Sequence, residues 1–583
     1  MNLNKIKYLL IFSFLGLPGC DDVLDLEPLD IISDAVVWED PQLIDSYLAD
    51  LYYRTDFIEL RGNLNEQTSF AMIASMGGEG RSFGAHHPSY RASTNVLTSA
   101  GIEDELDYWK YNNIRDCNYF MQRLADSPLD EEVVIQRTAE ARFLRAYMYF
   151  QMVIRFGGVP IITEPQDPNA SAGEIFLPRN SEKEVYDFIL AEMDALVSIL
   201  PSAYGPEDKG RPTQWAAYAL KSRAALYAAS IATYGEEQLG GLLGFSASDA
   251  TYYAQISYDA SKAIINNGIH ALYEVLPDPV ENYQNLFLDE SAANTEVIMA
   301  EVYDYSKNRA HAYTLRATPH DFNGTWASMN YHYDFIERFE FADGSPGNSI
   351  TRTQLTSQEW SPDELWGNRD PRFRASVFYP ESPWQGGKAL FHSNTLRDGE
   401  LLAAGTAEDG WPYMASTRNT IRTGFMVRKR TNENLKTQPV INDETDYIIF
   451  RIGEIYLNLA EAAFYLGNTS EALDVLNRLR QRAGMPDKSE ITEDIIQNER
   501  LVELTWENHS YWDLRRWRIG KEVLDGVRLK GLRYTYNYDT KKYKITIANA
   551  EGVARTFQDR DYYLPLGVNR VSENPNFVEN PGY

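Results

Sequence analysis

Apolar residues recur at helical spacing along several long stretches of the chain. In residues 139–156, large apolar side chains return every three or four positions, from Phe143 through Tyr147 to Ile154. A glycine follows at position 157, where the left-handed conformation of a helix C-cap favours this residue. The same spacing predicts further helices over residues 185–200, 213–234, 252–266, 448–466, 470–483 and 491–518. Ser181 and Glu184 form a capping-box sequence before the first of these.

The middle of the chain, residues 268–446, has a different pattern. Gly, Pro, Asn and Trp are scattered among short β-prone pieces. Irregular stretches of this length in a compact protein are usually functional or inserted. We therefore predict a mainly α protein in which a helical scaffold carries a loop-rich, irregular second lobe with short β pieces.

The returning helices suggest how the scaffold is built. The segments 457–466 and 471–482, split by Gly467 and Asn468, have the alanine and large-apolar pattern of a tetratricopeptide repeat. The predicted organisation is an N-terminal helical region and a C-terminal region that contains a loop-rich lobe and the returning helices. The bounds are 41–267 for the first region, 268–583 for the second, 268–446 for the lobe and 447–520 for the helices.

The N-terminus has the pattern of a targeting signal. Lys5 and Lys7 precede a short apolar run at 8–17, which is too short to span a bilayer comfortably. The run ends at Leu-Pro-Gly followed by Cys20, as in a bacterial lipobox. We predict a signal peptide over residues 1–19, followed by a lipidated tether over residues 20–40. A multiply acylated, palmitate-bearing cysteine anchors a protein stably in a membrane. The alternative is an ordinary signal peptide with an incidental cysteine.

Charge and cysteine content narrow the possible partners. The net charge of −29, with no dense Lys/Arg stripe, argues against nucleic acid binding because a phosphate backbone would be repelled. The chain has two cysteines, so acylation of Cys20 would leave Cys117 without a disulfide partner. No other apolar run approaches a membrane span, which indicates anchoring to a membrane without crossing it.

Several longer motifs occur in a fixed order along almost the whole chain. They are AEARFLRAY at 139–147, FGGVP at 156–160, GRPT at 210–213, ALKSRAALY at 219–227, RDPRF at 369–373, RIGEIYLNLAEA at 451–462, LNRLR at 476–480, NER at 498–500, WDLRRW at 512–517 and NPGY at 580–583. In this order the motifs resemble the SusD/RagB family. Ser510 departs from the pattern, since the family often has Arg there.

The resemblance implies a cell-surface lipoprotein of the outer membrane with a tetratricopeptide-like scaffold and a less regular lobe. It implies capture of oligosaccharides or other nutrients during polysaccharide utilisation, and a SusC-like, TonB-dependent β-barrel transporter as partner. It implies no cofactor. For the charged motif residues Arg142, Arg145, Glu461 and Arg515 we predict ion pairs and helix-terminus contacts inside the scaffold.

Sugar recognition needs flat aromatic faces together with converging polar groups. Two non-helical segments, 77–95 and 318–333, carry that mixture, and the resemblance favours them by position. The ligand-binding residues predicted there are Arg81, His87 and Tyr90 in the first segment, and His320, Trp326, Asn330, Tyr331 and His332 in the second. Trp384 and Trp411 are lesser candidates. Which glycan or nutrient binds stays open.

Catalytic patterns are weak in this sequence. GRSFG at 80–84 matches G-x-S-x-G but lacks the strand–turn–helix context that a hydrolase requires. The metalloprotease, paired C-x-x-C and phosphate-loop patterns are missing, and His86-His87 has no further ligands at zinc spacing. We predict no catalytic residue and no metal site. A surface glycan-degrading enzyme and a tetratricopeptide scaffold that binds only protein are the competing hypotheses.

Overall fold

A computed structural model describes most of the chain. It covers residues 37–57, 72–82, 93–94, 97–98, 100, 106–322, 329–420, 423–435 and 442–583. Four predicted functional residues, Cys20, His87, Tyr90 and Trp326, lie outside these ranges.

Helices make up about 46% of the structure, which confirms the mainly α prediction. The longer helices are Pro41–Thr55, Tyr111–Leu124, Glu131–Phe156, Glu182–Leu196, Gln214–Tyr234, Ala250–Ile265, Ile452–Tyr465, Thr469–Arg482 and Glu493–Glu503. The shorter ones are Met72–Met76, Ala172–Ile175, Pro279–Asn285, Tyr313–Ala317, Tyr333–Ile336, Arg352–Ser357, Pro371–Ser376, Thr417–Thr420, Ser510–Arg516, Gly520–Leu524 and Val568–Glu573. No helix in the described ranges is both long and apolar enough to span a bilayer.

Helix ends follow the local sequence at several positions. Ser181 and Glu184 form the expected reciprocal capping box, and Thr213 accepts a hydrogen bond from a backbone N–H of the next helix. Gly157 ends the longest helix with φ of 74°. A Cβ added at Gly157 would lie 2.2 Å from the Leu243 side chain, so both conformation and space require glycine.

Two predicted helices differ from the observed ones. The stretch predicted as one helix over residues 491–518 is broken by a turn at 504–509, where Trp506 and Asn508 have positive φ values of 57° and 64°. The stretch beginning at 448 starts as a strand, Tyr447–Arg451, because its β-branched and aromatic residues pair with Val297–Glu301 before the helix begins.

The strands are short except for one hairpin. The bounds are Gly80–Arg81, Val297–Glu301, Asn330–Tyr331, Glu359–Trp360, Val377–Phe378, Pro383–Trp384, Gly387–Lys388, His392–Arg397, Glu400–Leu402, Met426–Val427, Tyr447–Arg451, Lys530–Asn537 and Lys542–Asn549. The two eight-residue strands, Lys530–Asn537 and Lys542–Asn549, form the hairpin and pair with each other throughout.

This hairpin is the centre of a five-stranded sheet. Lys530–Asn537 also pairs in parallel with His392–Arg397 of the loop-rich lobe. Leu532, Tyr534 and Tyr536 alternate inward. This period-2 pattern indicates a strand, which the sequence analysis did not predict. The irregular lobe is therefore completed by strands that lie some 100 residues beyond its predicted end.

One hydrophobic core runs through the scaffold and the lobe. Gln214–Tyr234, rich in alanine, packs closely against Ala250–Ile265, and Ile452–Tyr465 packs on both. Arg223 crosses between two of these helices, donating to Glu454 at 2.6 Å. Cys117 is buried with a free thiol, as expected of a small apolar core residue.

The predicted internal roles of the charged motif residues are confirmed. Arg142 and Arg145 both donate to Glu192, at 2.8 and 3.1 Å. Glu461 accepts hydrogen bonds from Arg516 and from the indole of Trp517. Arg515, also buried, donates to the backbone carbonyls of Arg155 and Tyr562, the first of which lies at the end of the longest helix.

Glu503 is the centre of the largest buried charge network. Its carboxylate accepts from Arg372 at 3.0 Å, from Arg451 at 2.8 Å and also from Arg482. Burial alone would raise the pKa of Glu503, but the three guanidinium groups hold it well below the usual value. The network continues through Glu499, which accepts from Arg372 at 2.6 Å.

We expect Glu503→Ala to lower the free energy of unfolding by about 3–5 kcal/mol, since it leaves three buried cations without their shared partner. Denaturant unfolding would measure this loss. Glu274→Ala is the matched control, because the Glu274–Arg478 pair is 46% and 40% exposed and such pairs contribute about 0–1 kcal/mol. Equal effects of the two substitutions would contradict the assigned role of Glu503.

Candidate functional site

The two segments predicted to bind ligand meet in the structure. Gly80–Arg81 pairs antiparallel with Asn330–Tyr331, with Arg81 opposite Asn330. A Cβ added at Gly80 would come within 1.9 Å of the Asn330 carbonyl oxygen, so the close approach requires glycine.

Four predicted ligand residues are buried at this junction. Arg81 is 7% exposed, Asn330 1%, and Tyr331 and His332 have no accessible surface. Side chains enclosed in this way do not reach a ligand in solvent, which corrects the prediction that these four contact one. They hold the junction together instead.

The contacts of these residues explain their burial. Tyr331 packs edge-on against Trp506, 5.7 Å between ring centroids, and its hydroxyl lies 3.3 Å from the Thr505 hydroxyl. The backbone N–H of His332 donates to the Glu79 carbonyl at 3.0 Å. Burial lowers the pKa of His332 to about 4, so its imidazole is neutral at neutral pH. The partners at 505–506 are some 170 residues away, and the local pattern at 318–333 gave no sign of them.

Glu79 ties the junction to the broken helix. Its carboxylate accepts from the Thr505 hydroxyl at 2.7 Å and from the Trp506 backbone N–H at 2.6 Å. The side chain has no accessible surface. Burial raises the pKa of Glu79 to about 7, although these hydrogen bonds act in the opposite direction.

His320 occupies a different environment from the buried four. It lies half-buried in a one-turn helix, His320–Phe322, that the segment 416–420 holds in place. The Ser416 hydroxyl lies 2.9 Å from His320 Nδ1, and the His320 backbone N–H donates to Asn419 at 3.0 Å. Asn419 also donates to Asp321 at 2.7 Å. The turn is thus rigid and still reaches solvent.

Of the two lesser candidates, only Trp411 retains solvent access. Its ring stacks on His392 at 5.6 Å and lies tilted by 33° against Tyr536 at 4.6 Å, and the residue is half-buried. Trp384 is 2% exposed and packs against Phe378, which places it in the core.

We use the term His320 rim for the surface formed by His320, Asp321, Phe322, Trp411 and Ser416. It offers aromatic faces beside an imidazole, a carboxylate and a hydroxyl, the mixture that sugar recognition needs. Sequence reasoning missed Ser416 and the supporting Asn419. The polar run Ser-Thr-Arg-Asn-Thr at 416–420 was the available signal. Within the described ranges, no group of three or more His, Cys, Asp or Glu side chains could hold a metal ion.

Comparison with known proteins covers nearly all of the chain. A model described as SusD family matches residues 295–583, and one described as "Starch-binding associating with outer membrane" matches residues 31–226. A SusD-like protein of Formosa agariphila is 23% identical, over 99% of this chain and 100% of that protein. A SusD-like protein of Bacteroides ovatus is 24% identical, over 85% and 79%.

Solved structures share the fold. A SusD-like protein of Bacteroides fragilis superposes with a TM-score of 0.70 at 27% identity, covering 96% of this chain and 100% of that one. A second protein of that species, described as a SusD-like carbohydrate binding protein, gives 0.69 at 23% identity over 93% and 99%. A laminarin binding SusD-like protein gives 0.56 at 18% identity over 94% and 100%.

The raised pKa of Glu79 predicts a pH-dependent stability. The folded state retains a proton between about pH 4.5 and pH 7 that the unfolded state releases, so stability falls as pH rises through this window. We expect Glu79→Gln to become more stable relative to the wild type by about 2–3 kcal/mol between pH 5 and pH 8. Denaturant unfolding at both pH values measures it. Glu471→Gln, at the surface, should show no such change.

Proposed function

Because the chain belongs to the SusD/RagB family, we propose that it is a cell-surface lipoprotein that captures oligosaccharides. It delivers them to a SusC-like, TonB-dependent transporter in the outer membrane. It binds the glycan without cleaving it.

The observation that supports this proposal is the His320 rim, together with the pairing of the two ligand-type segments in one ladder. Gly80–Arg81 of the first segment pairs with Asn330–Tyr331 of the second. The His320 rim contributes half-buried aromatic rings and polar groups fixed by Asn419. Stacking of sugar C–H faces on such rings, with hydrogen bonds from the neighbouring polar groups, gives a shallow binding surface.

The relatives support the same class of ligand. One solved relative is described as laminarin binding, and another is described with a xylogluco-oligosaccharide. Both resemble this chain at under 25% identity, so they support a glycan in general and leave the particular sugar open.

The enzyme alternative is weakened by the position of Ser82. In a G-x-S-x-G hydrolase the serine must be exposed at the top of a sheet. Here Gly80 and Arg81 form a strand in a two-stranded ladder, and Ser82 is 1% exposed. A nucleophile in this position would be shielded from a polysaccharide.

A screen of the purified protein on glycan affinity gels, with released sugars assayed in parallel, tests binding against turnover.

Trp326 is the proposed stacking residue of the second segment. We expect Trp326→Ala to weaken oligosaccharide binding by about 1–3 kcal/mol, on the scale of burying one large aromatic side chain. Isothermal titration with the glycan found in the screen measures the loss. Tyr252→Ala removes an aromatic ring that is 58% exposed on the helix Ala250–Ile265 and should leave affinity unchanged. Equal affinity of wild type and Trp326→Ala would remove this residue from the site.

The lipid anchor is a separate proposal that rests on Cys20. We expect Cys20→Ser to move the protein from the membrane fraction to the soluble fraction, because the acyl chains supply the attachment. Fractionation and immunoblotting of cells that express each form measures the shift. Glycan binding by the Cys20→Ser protein should equal that of the wild type. A Cys20→Ser protein that stays in the membrane fraction would contradict the proposal.

A further inference from the structure

A cavity with mixed polar and apolar walls opens into the helical scaffold, and none of the residues of the His320 rim line it. Its volume is about 230 Å³. The helices Glu131–Phe156 and Gln214–Tyr234, the strand Tyr447–Arg451 and the turn after Glu503 contribute its walls. A space of this size holds several waters or one small molecule.

Three side chains on the wall have polar atoms without a protein partner in the described part of the chain. Tyr227 is 3% exposed, and its hydroxyl makes no hydrogen bond there. Arg223 is 7% exposed and uses Nε and Nη2 on Glu454 and on the Ile449 carbonyl. The remaining guanidinium nitrogen, Nη1, can therefore donate a hydrogen bond to a molecule bound in the cavity. His509 also lines the wall, and neither ring nitrogen has a partner among the residues described.

His509 lies near several buried arginines, each of which is also paired with a carboxylate. After burial, the largest influences on its imidazole come from Arg223, Arg500, Arg451 and Arg516, and together they hold its pKa well below the usual value. A neutral imidazole offers one N–H donor and one acceptor. The cavity wall carries Lys110, Arg155 and Arg223 together with the carboxylates of Asp56, Asp107 and Glu507. The case for an anion therefore rests on the donors of Arg223, Tyr227 and His509 that lack a partner within the described residues.

The backbone that presents His509 is strained. Trp506 and Asn508 both have positive φ values, 57° and 64°, and this conformation is unfavourable for a bulky residue such as Trp506. Glu507, between them, is held by Lys429 at 2.6 Å and by Arg451 at 2.7 Å. Strain that surrounding contacts maintain in this way is characteristic of ligand sites.

We propose that this cavity binds a small oxyanion, such as phosphate or a carboxylate, through Arg223, Tyr227 and His509. The guanidinium Nη1 and the phenol donate to the anion, and the imidazole N–H supplies a third donor. Charge-assisted hydrogen bonds of this kind are about twice as strong as neutral ones. The Asp56–Lys110 ion pair, with side chains 30% and 23% exposed, marks the outer end of the cavity.

Isothermal titration of the purified full-length protein with inorganic phosphate, and separately with acetate, tests the proposal at constant ionic strength. We expect saturable binding of at least one anion by the wild type. Tyr227→Phe removes only the hydroxyl and should weaken that binding about tenfold, a loss typical of one hydrogen bond to a charged group. Tyr218→Phe, on the same helix but outside the cavity, should bind as the wild type does.

Three outcomes would overturn the proposal. Absence of saturable binding by either anion would leave a cavity that holds water. Anion binding that Tyr227→Phe leaves unchanged would place the anion elsewhere. Binding of neutral glucose at the cavity, lost in Tyr227→Phe while the anions have no effect, would make it a site for a neutral sugar. Thermal unfolding of each variant shows that the fold is intact. The glycan screen tests the proposed function separately, so its result does not depend on any of these three outcomes.

Discussion

The rest of the structure depends on the shared carboxylate of Glu503. Arg372 comes from the loop-rich lobe, Arg451 from the strand before a scaffold helix, and Arg482 from the end of the next helix, and all three donate to it. Removing any partner from such a buried set leaves a charge in a medium of low dielectric, which costs several kcal/mol. These buried ion pairs therefore hold the lobe and the scaffold in one relative position, in addition to their common apolar core.

The candidate ligand site is attached to the same network. Glu507 accepts from Arg451 and Lys429, and it follows Trp506, whose backbone N–H donates to Glu79. Glu79 adjoins the ladder that carries both ligand-type segments. The positions of these segments are thus set by contacts that begin in the scaffold. The turn at 504–509 contacts Glu79 beside the ladder and also contributes to the wall of the proposed anion cavity.

The motifs that identify the family have mainly a structural role. Arg142, Arg145, Glu461 and Arg515 make internal ion pairs and contacts to helix ends. They specify how the helices assemble and contain no information about a particular glycan. We propose that specificity depends on residues such as those of the His320 rim, which lie on irregular segments. This division suits a scaffold that presents different binding surfaces on one frame.

The sequence by itself determined the helices, their caps and the family, because helical periodicity and capping depend on residues within a few positions of one another. It also placed the ligand-type segments on the irregular parts of the chain. Only the tertiary structure decided which of their residues face solvent. Tyr331 packs against Trp506, and the imidazole of His332 lies 3.1 Å from the Gly78 carbonyl oxygen and 3.6 Å from Glu551, all from distant parts of the chain. The five-stranded sheet was likewise fixed by pairing between residues more than 100 positions apart, which no local pattern specifies.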